Sequence, residues 1–294
     1  MKNEQSYYGP FFWLSICSLI VPFFVAYMAF DKVRPTTKPV PVLDASGVDN
    51  KIWDYLLQNY VANGLVDYEG LKKDYLFWDY IGQIGSANPD KLATREEKLA
   101  LHCNAYNALV IKGVINHKIK DSVLDDFHGE GGFFGSTEYV FAGDTISLDH
   151  LEKEIILPVF GEERVHMALV CAAVSCPPLR GEAFFGDRIE QQLTDQACLF
   201  ANDSRFVDFD EATNTLNLSP LLSWYQSDFE KQGSYLEWVK VRVESEAMKK
   251  QIDAAIAGTV KVKFNQYDWT LNTQATAQSS GGNSDFGSGS IPNE

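Results

Sequence analysis

Residues 166–179, HMALVCAAVSCPPL, place one histidine and two cysteines in a short apolar stretch. A catalytic cysteine needs a lowered thiol pKa, from a nearby imidazole or a helix N-terminus, and a third group usually orients the imidazole. Cys176 comes directly before Pro177 and Pro178, where regular structure stops and the backbone is rigid. The sequence therefore indicates Cys176 as the candidate nucleophile and His166 as the candidate base.

The same residues allow two other interpretations. Cysteine is among the residue types most often buried, so Cys176 can simply pack where a strand leads into a loop. Cys171 and Cys176 also form a C-x4-C pair, which would close a small disulfide loop in an oxidising compartment. The sequence leaves the redox state of the pair open.

The distance between the two catalytic candidates depends on how residues 166–171 fold. As an extended strand, this stretch would separate His166 from its far end by about 17 Å, at roughly 3.3 Å per residue. The imidazole reaches Cys176 only if the chain folds back at residues 172–173. Otherwise His128 or His150 would have to act as the base, because each lies in or beside a loop.

Three other polar side chains are candidates to orient the base. Asn104 and Asn107 lie three positions apart on one face of an otherwise apolar helix, and Glu152 follows a serine that can cap a short helix. A buried amide must find hydrogen-bond partners. The two asparagines therefore either bind the backbone of a loop or line a pocket.

The remaining patterns predict an α+β fold, with several helices packed around a small mixed β-sheet in a single globular domain, residues 48–272. Thr94 and Glu97 form a capping box that begins a buried helix. The segment RVHMALVCAAV, residues 164–174, has too little polar alternation for an exposed strand and predicts a central, buried one. Residues 205–219 predict a hairpin followed by a helix from Pro220, and residues 259–272 predict a final strand.

Both ends of the chain differ from this domain. Residues 11–30 contain no charged side chain and are long enough to cross a bilayer as a signal-anchor helix after a short leader, residues 1–10. Residues 31–47 are a proline-rich linker, and residues 273–294 have the composition of a disordered tail. The anchor predicts a membrane-attached protein with an exported, periplasmic domain, although the positive-inside rule alone favours the opposite orientation.

Composition excludes some functions. A formal net charge of −15 argues against a nucleic-acid partner, because the phosphate backbone would be repelled. The five cysteines do not have the spacing of a zinc site. The glycine-rich segment after residue 127 lacks the Lys-Ser/Thr pair that ends a phosphate-binding loop. No metal and no cofactor is predicted.

Five motifs, in order, resemble the DUF547 family, a domain of unknown function. They are NAYNALVIKGV, LDHLEKEII, HMALVCAAVSCPPLR, LNLSPLLSWYQSDF and YDWTLN, and the resemblance spans roughly residues 50–272. It implies that the following positions carry the residues usual in the family: Asn104, Tyr106, Asn107, Glu152, His166, Cys176, Pro177, Pro178 and Leu179. Cys176 fits the family pattern better than Cys171. The resemblance brings no established activity.

Two functions follow as hypotheses. The preferred one is a membrane-anchored module that binds a partner or an unidentified small-molecule or peptide ligand. The alternative is a thiol-dependent hydrolase or acyl transferase that uses Cys176 and His166, with Asn104, Asn107 or Glu152 orienting the base. That alternative is similar to papain-like or transglutaminase-like chemistry only by analogy.

Overall fold

The computed structural model describes residues 37–40 and 42–275. Within these residues no helix combines the length and the apolar character needed to cross a membrane. The predicted leader and anchor, residues 1–30, lie outside the described part, as do residues 31–36 and 41 of the linker and residues 276–294 of the tail.

Helix α4, Arg95–His117, is buried along most of its length. The Thr94 hydroxyl accepts a hydrogen bond from the Glu97 amide while the Glu97 side chain bonds the Thr94 backbone, so the predicted capping box is confirmed. Leu99, Cys103, Tyr106, Val110 and Val114 are all buried, as their helical spacing predicts. The helix is the element against which much of the fold packs.

The other helices surround α4 or continue the chain beyond it. They are α1 Asn50–Tyr60, α2 Tyr68–Lys73, α3 Tyr75–Gly85, α5 Gly132–Gly135, α6 Leu157–Phe160, α7 Ile189–Ala201, α8 Leu221–Trp224, α9 Gln226–Phe229, α10 Tyr235–Lys240 and α11 Glu246–Ile256. Short 3-10 helices occur at Pro89–Lys91, Glu163–Met167 and Glu230–Gln232. A π-helix, His150–Ile156, leads directly into α6.

The strands form three small sheets in the described part of the chain. Two are antiparallel hairpins, β1 Val61–Ala62 with β2 Leu65–Val66, and β3 Tyr139–Phe141 with β4 Asp144–Ile146. The third is mixed: β6 Thr215–Leu218 pairs antiparallel with β5 Val207–Asp210 and parallel with β7 Lys261–Phe264. The mixture of helices and small sheets agrees with the predicted fold class, but no single sheet forms the centre.

The prediction of a central strand at residues 164–174 is wrong. Glu163–Met167 is a 3-10 helix, and the chain then continues as a buried loop. Ala172 adopts a left-handed conformation with φ of 62°, and the Cys176 amide donates to the Ala173 carbonyl. An apolar run lacks the periodicity that separates a strand from a buried loop. The chain does change direction between Ala172 and Cys176, as a contact between His166 and Cys176 would require, but within a loop and not at the end of a strand.

The last part of the chain packs beside this loop. The Val174 amide donates to the Thr270 carbonyl, and the Asn272 amide donates to the Ala172 carbonyl. Residues 173 and 271 also form an isolated antiparallel bridge. These bonds hold the segment after β7 against the loop that contains both cysteines.

Candidate functional site

A cavity of about 320 Å³ lies where α4, the π-helix, the cysteine loop, α8 and the segment after β7 meet. This volume is within the range of ligand pockets, roughly 300–1,000 Å³. The side chains around it combine aromatic rings with titratable groups. They are Tyr106, Phe134, Asp149, Glu152, Lys153, His166, Leu169, Cys171, Cys176, Leu221, Trp224, Tyr225, Tyr267 and Trp269.

Glu152 contributes a buried carboxylate from the π-helix. Its Oε2 accepts a hydrogen bond of 2.8 Å from the Tyr106 hydroxyl, and its Oε1 accepts one of 2.8 Å from the Tyr225 hydroxyl. Burial, together with the charge of Glu152, raises the pKa of both tyrosines above their ordinary values, so both remain donors. A π-helix is rare and is frequently found at functional sites.

His166 contributes an imidazole that is oriented on two sides. Its Nε2 lies 3.0 Å from Oδ2 of Asp228, and its ring stacks on that of Tyr225 with 3.9 Å between centroids. Burial lowers the pKa of His166, although Asp228 acts in the opposite direction. Burial would raise the pKa of Asp228, but bonds with Lys231 and His166 hold it below its usual value. The neutral ring therefore donates from Nε2 to an ionised carboxylate, and Nδ1 is left as the acceptor nitrogen.

The two cysteines of the loop are free thiols with different surroundings. Cys171 is half-buried, and its Sγ lies 3.0 Å from the Tyr267 hydroxyl. Burial raises the pKa of the Cys171 thiol, but hydrogen bonds with Cys176, Tyr267 and the Ala173 backbone outweigh it and hold the pKa below its ordinary value. Cys171 therefore has more thiolate character than an ordinary thiol.

Cys176 has the opposite character. The side chain is only 5% exposed, its Sγ accepts the Cys171 amide at 3.1 Å, and it lies 3.8 Å from the Leu169 carbonyl. Burial and the neighbouring Cys171 raise the pKa of Cys176 well above that of a free thiol. His166 and Cys176 line the same cavity, but the imidazole bonds to Asp228 and not to this sulfur. The geometry does not favour Cys176 as the activated nucleophile.

The two asparagines lie behind the cavity and bind loop backbone. Asn104 accepts from the Phe184 amide and donates to the Phe184 carbonyl. Asn107 donates to the Ala168 carbonyl and accepts from the Val170 amide, each at 2.9 Å. Neither amide contacts the His166 ring in the described structure, so their predicted role in orienting it is not supported. The sequence allowed either bonds to loop backbone or a place in the lining of a pocket, and the contacts of both asparagines match the first.

The other candidate bases lie away from this site. His128 and His150 are both exposed, and neither lines the cavity. The backbone amide of His150 donates to the Ser147 hydroxyl, which caps the helical turn at residues 148–149 that leads into the π-helix, as the sequence predicts. Among the described residues, no group of three or more histidine, cysteine, aspartate and glutamate side chains is arranged to hold a metal ion.

The family model described as "Protein of unknown function, DUF547" matches residues 89–200. The DUF547 prediction is confirmed for this segment. The motifs LNLSPLLSWYQSDF and YDWTLN follow the matched segment, so the extension of the domain to residues 48–272 stays a prediction. A search of curated proteins and a search of solved structures found no match to the chain.

The DUF547 segment does not build the cavity alone. It supplies Tyr106, Glu152, His166 and both cysteines of the loop, whereas Trp224, Tyr225, Tyr267 and Trp269 come from residues beyond it. Asp228, which bonds to His166, also lies beyond it. Sequence reasoning did not select Tyr225 or Asp228 as site residues. Their signal was present in the motif WYQSDF, where a tyrosine and an aspartate three positions apart can share one helix face.

Proposed function

We propose that this protein is a ligand-binding module, anchored to a membrane by its N-terminal segment, and that the ligand occupies the cavity beside Glu152 and His166. The observation that carries the proposal is a cavity of about 320 Å³ with several aromatic walls and two buried titratable side chains. Apolar walls with a few convergent polar groups are typical of small-molecule sites.

The polar groups of the cavity are held in place before any ligand binds. Glu152 is bonded by two tyrosine hydroxyls, and His166 is fixed between Asp228 and the Tyr225 ring. A preorganised site loses little conformational freedom on binding, so more of the contact energy contributes to affinity. These bonds support a binding role whether or not chemistry follows.

A fragment screen by ligand-observed NMR tests the proposal. We expect fragments that bind the wild-type protein to lose their signal with Trp269→Ala, which removes one wall of the cavity. Trp78→Ala is the matched control, because Trp78 is a partly exposed tryptophan that does not line the cavity. Fragments that bind all three proteins equally, or an absence of binders, would contradict the proposal.

A thiol-dependent hydrolase or acyl transferase is the second candidate, and one observation favours it. Cys171 lines the cavity together with His166, and its thiol pKa is lowered. This version of the hypothesis moves the nucleophile from Cys176 to Cys171. The Cys171 thiol would give its proton to His166 as its sulfur attacks an acyl carbonyl, and His166 would pass that proton to the leaving group as the acyl bond to it breaks. The resulting thioester would be cleaved by water or by an acceptor nucleophile, which restores the thiol, and Asp228 would orient the ring.

A burst experiment with p-nitrophenyl acetate tests this second candidate. The thiol mechanism predicts one equivalent of p-nitrophenol per protein in a rapid first phase and an acetylated Cys171 by mass spectrometry. Cys171→Ala should abolish the burst, and Cys176→Ala should retain it. A wild-type protein without a burst, or a burst that survives Cys171→Ala, would remove this candidate.

Membrane attachment is tested separately on the full chain. An anchor at residues 11–30 predicts that the protein stays in the membrane fraction after alkaline carbonate extraction. An exported domain predicts that added protease digests it in spheroplasts without lysis. Release by carbonate would contradict the anchor, and protection from protease would contradict the orientation.

A further inference from the structure

The charge of Glu152 is not balanced by any cation of the described structure. Glu152 is only 9% exposed, and both of its carboxylate oxygens accept hydrogen bonds from tyrosine hydroxyls. No lysine, arginine or histidine in the described part of the chain forms an ion pair with it. The adjacent Lys153 pairs instead with Asp149 at 2.5 Å. A buried carboxylate without a partner cation is costly, and a cationic ligand would reduce that cost.

Aromatic rings line the same cavity as this carboxylate. The Trp224 and Tyr267 centroids are 4.9 Å apart, those of Tyr267 and Trp269 are 4.7 Å apart, and Phe134 lies 6.5 Å from Trp269. The face of an aromatic ring carries partial negative charge and attracts cations within about 6 Å. None of the six cation–π pairs of the described residues involves a ring of this cavity, so no lysine or arginine of the described chain occupies these rings.

The imidazole in the cavity does not supply the missing charge. Burial lowers the pKa of His166, so the ring is neutral at neutral pH and is not a counter-ion for the Glu152 carboxylate. Most of the surrounding surface is apolar, which disfavours a strongly hydrated ammonium group and suits a cation covered by methyl groups.

We infer that the ligand of this cavity is a small organic cation with an N-methylated, tertiary or quaternary ammonium group, which would lie between the Glu152 carboxylate and the rings of Trp224, Tyr267 and Trp269. This inference rests on the proposed binding function and names the ligand class. The same cation can come from a free solute or from a lipid head group, and the two sources share this chemistry.

Isothermal titration calorimetry on the full chain tests the charge requirement. The probes are choline and 3,3-dimethylbutan-1-ol, its neutral isostere with the same shape. We expect choline to bind at least about tenfold more tightly, because only the cation gains from the carboxylate and the ring faces.

Glycerophosphocholine is the third probe, and it tests the source of the cation. Tighter binding of it than of choline assigns a head-group source, and weaker binding assigns a free solute; the inference holds in both cases.

Two variants locate the binding energy. Glu152→Gln keeps the shape and removes the charge, so choline affinity should fall about tenfold while the affinity of the neutral isostere stays the same. Trp224→Leu removes one ring face and should weaken choline several-fold. Trp224 is 51% exposed, so this variant folds even if the buried Glu152→Gln variant does not. Trp78→Leu is the matched control and should bind choline like the wild type.

The outcomes separate this inference from the proposed function. Equal affinity for choline and its neutral isostere, or fragment binding without choline binding, would contradict the inference of a cationic ligand. Neither result would contradict the proposed binding function. A cavity that binds neither the fragments nor any of the three probes would overturn both.

Discussion

Two groups of buried polar side chains lie close together in this protein, and they differ in what they bond to. Asn104 and Asn107, on α4, bond mainly to backbone groups of neighbouring loops, and Asn104 also donates to the Asn50 side chain. Glu152 and His166 bond to other side chains around an opening. Buried polar groups of the first kind support the fold, whereas those of the second kind line a cavity.

The two cysteines show the same contrast over five residues. Cys176 bonds to the loop backbone and has a raised thiol pKa, whereas Cys171 bonds to Tyr267 across the cavity and has a lowered one. Position next to two prolines made Cys176 the more prominent residue in the sequence. The contacts lower the thiol pKa of Cys171, so we expect it to be the more reactive of the two.

The largest expected effect is a loss of stability when Asn107, one of the two asparagines that bond to loop backbone, is replaced. Asn107→Leu would leave the Ala168 carbonyl and the Val170 amide buried without partners. Each unsatisfied group costs about 1–3 kcal/mol, so we expect a loss of about 3 kcal/mol in the free energy of unfolding. Urea denaturation measures it. Asn59→Ala removes a local helix bond to Tyr55 and should change stability by less than about 0.5 kcal/mol. Equal losses of unfolding free energy in Asn107→Leu and Asn59→Ala would contradict the inference that Asn107 supports the fold.

The next effect is a difference in thiol reactivity. At pH 7.5, iodoacetamide should alkylate Cys171 at least about tenfold faster than Cys176, because the thiolate is the reactive form. Peptide mapping by mass spectrometry at timed intervals gives both rates in one sample. Cys103, which is fully buried and has a raised pKa, is the internal control for an unreactive thiol. Faster labelling of Cys176 would restore it as the candidate nucleophile.

A smaller effect is a pH dependence of stability from His166. Burial lowers the pKa of this ring below the ordinary value of about 6.5, so the folded protein binds fewer protons than the unfolded chain in that range. The free energy of unfolding should therefore fall as the pH drops below about 6.5, until the folded pKa is passed. Urea unfolding between pH 7.5 and 5.0 should show a shallower fall for His166→Phe.

The pH experiment has an internal comparison. His102 also has a pKa lowered by burial, and it contributes with the same sign to the wild type and to His166→Phe. The difference between the two profiles therefore isolates His166. Parallel profiles would mean that the ring of His166 is not a buried neutral group in the folded protein.

The smallest expected effect is on a cavity wall. Trp224→Leu should change the free energy of unfolding by less than about 0.5 kcal/mol, because half of the side chain is exposed and it packs mainly on the other cavity rings. Thermal unfolding measures this change. A loss of 2 kcal/mol or more in the free energy of unfolding would show that Trp224 stabilises the fold as Asn107 does.

Local sequence patterns were sufficient to predict several secondary-structure elements. The capping box at Thr94, the hairpin that precedes Pro220 and the buried face of α4 follow from neighbouring residues, because caps, turns and helical spacing act over a few positions. The DUF547 resemblance, drawn from motifs over roughly residues 50–272, was confirmed over residues 89–200. The loop at residues 168–176 did not follow, since its backbone bonds go to Asn107 and to residues near the C-terminus.

The sequence by itself determined which side chains were available: a histidine, two thiols, a carboxylate and two buried amides in an acidic chain. Only the tertiary structure decided their partners, because Asp228, Tyr225 and Tyr267 reach His166, Glu152 and Cys171 from positions 62 to 96 residues away. Hydrogen bonds form over about 3 Å in space whatever the separation along the chain. Which amide supports a loop and which carboxylate faces a cavity is therefore set by packing.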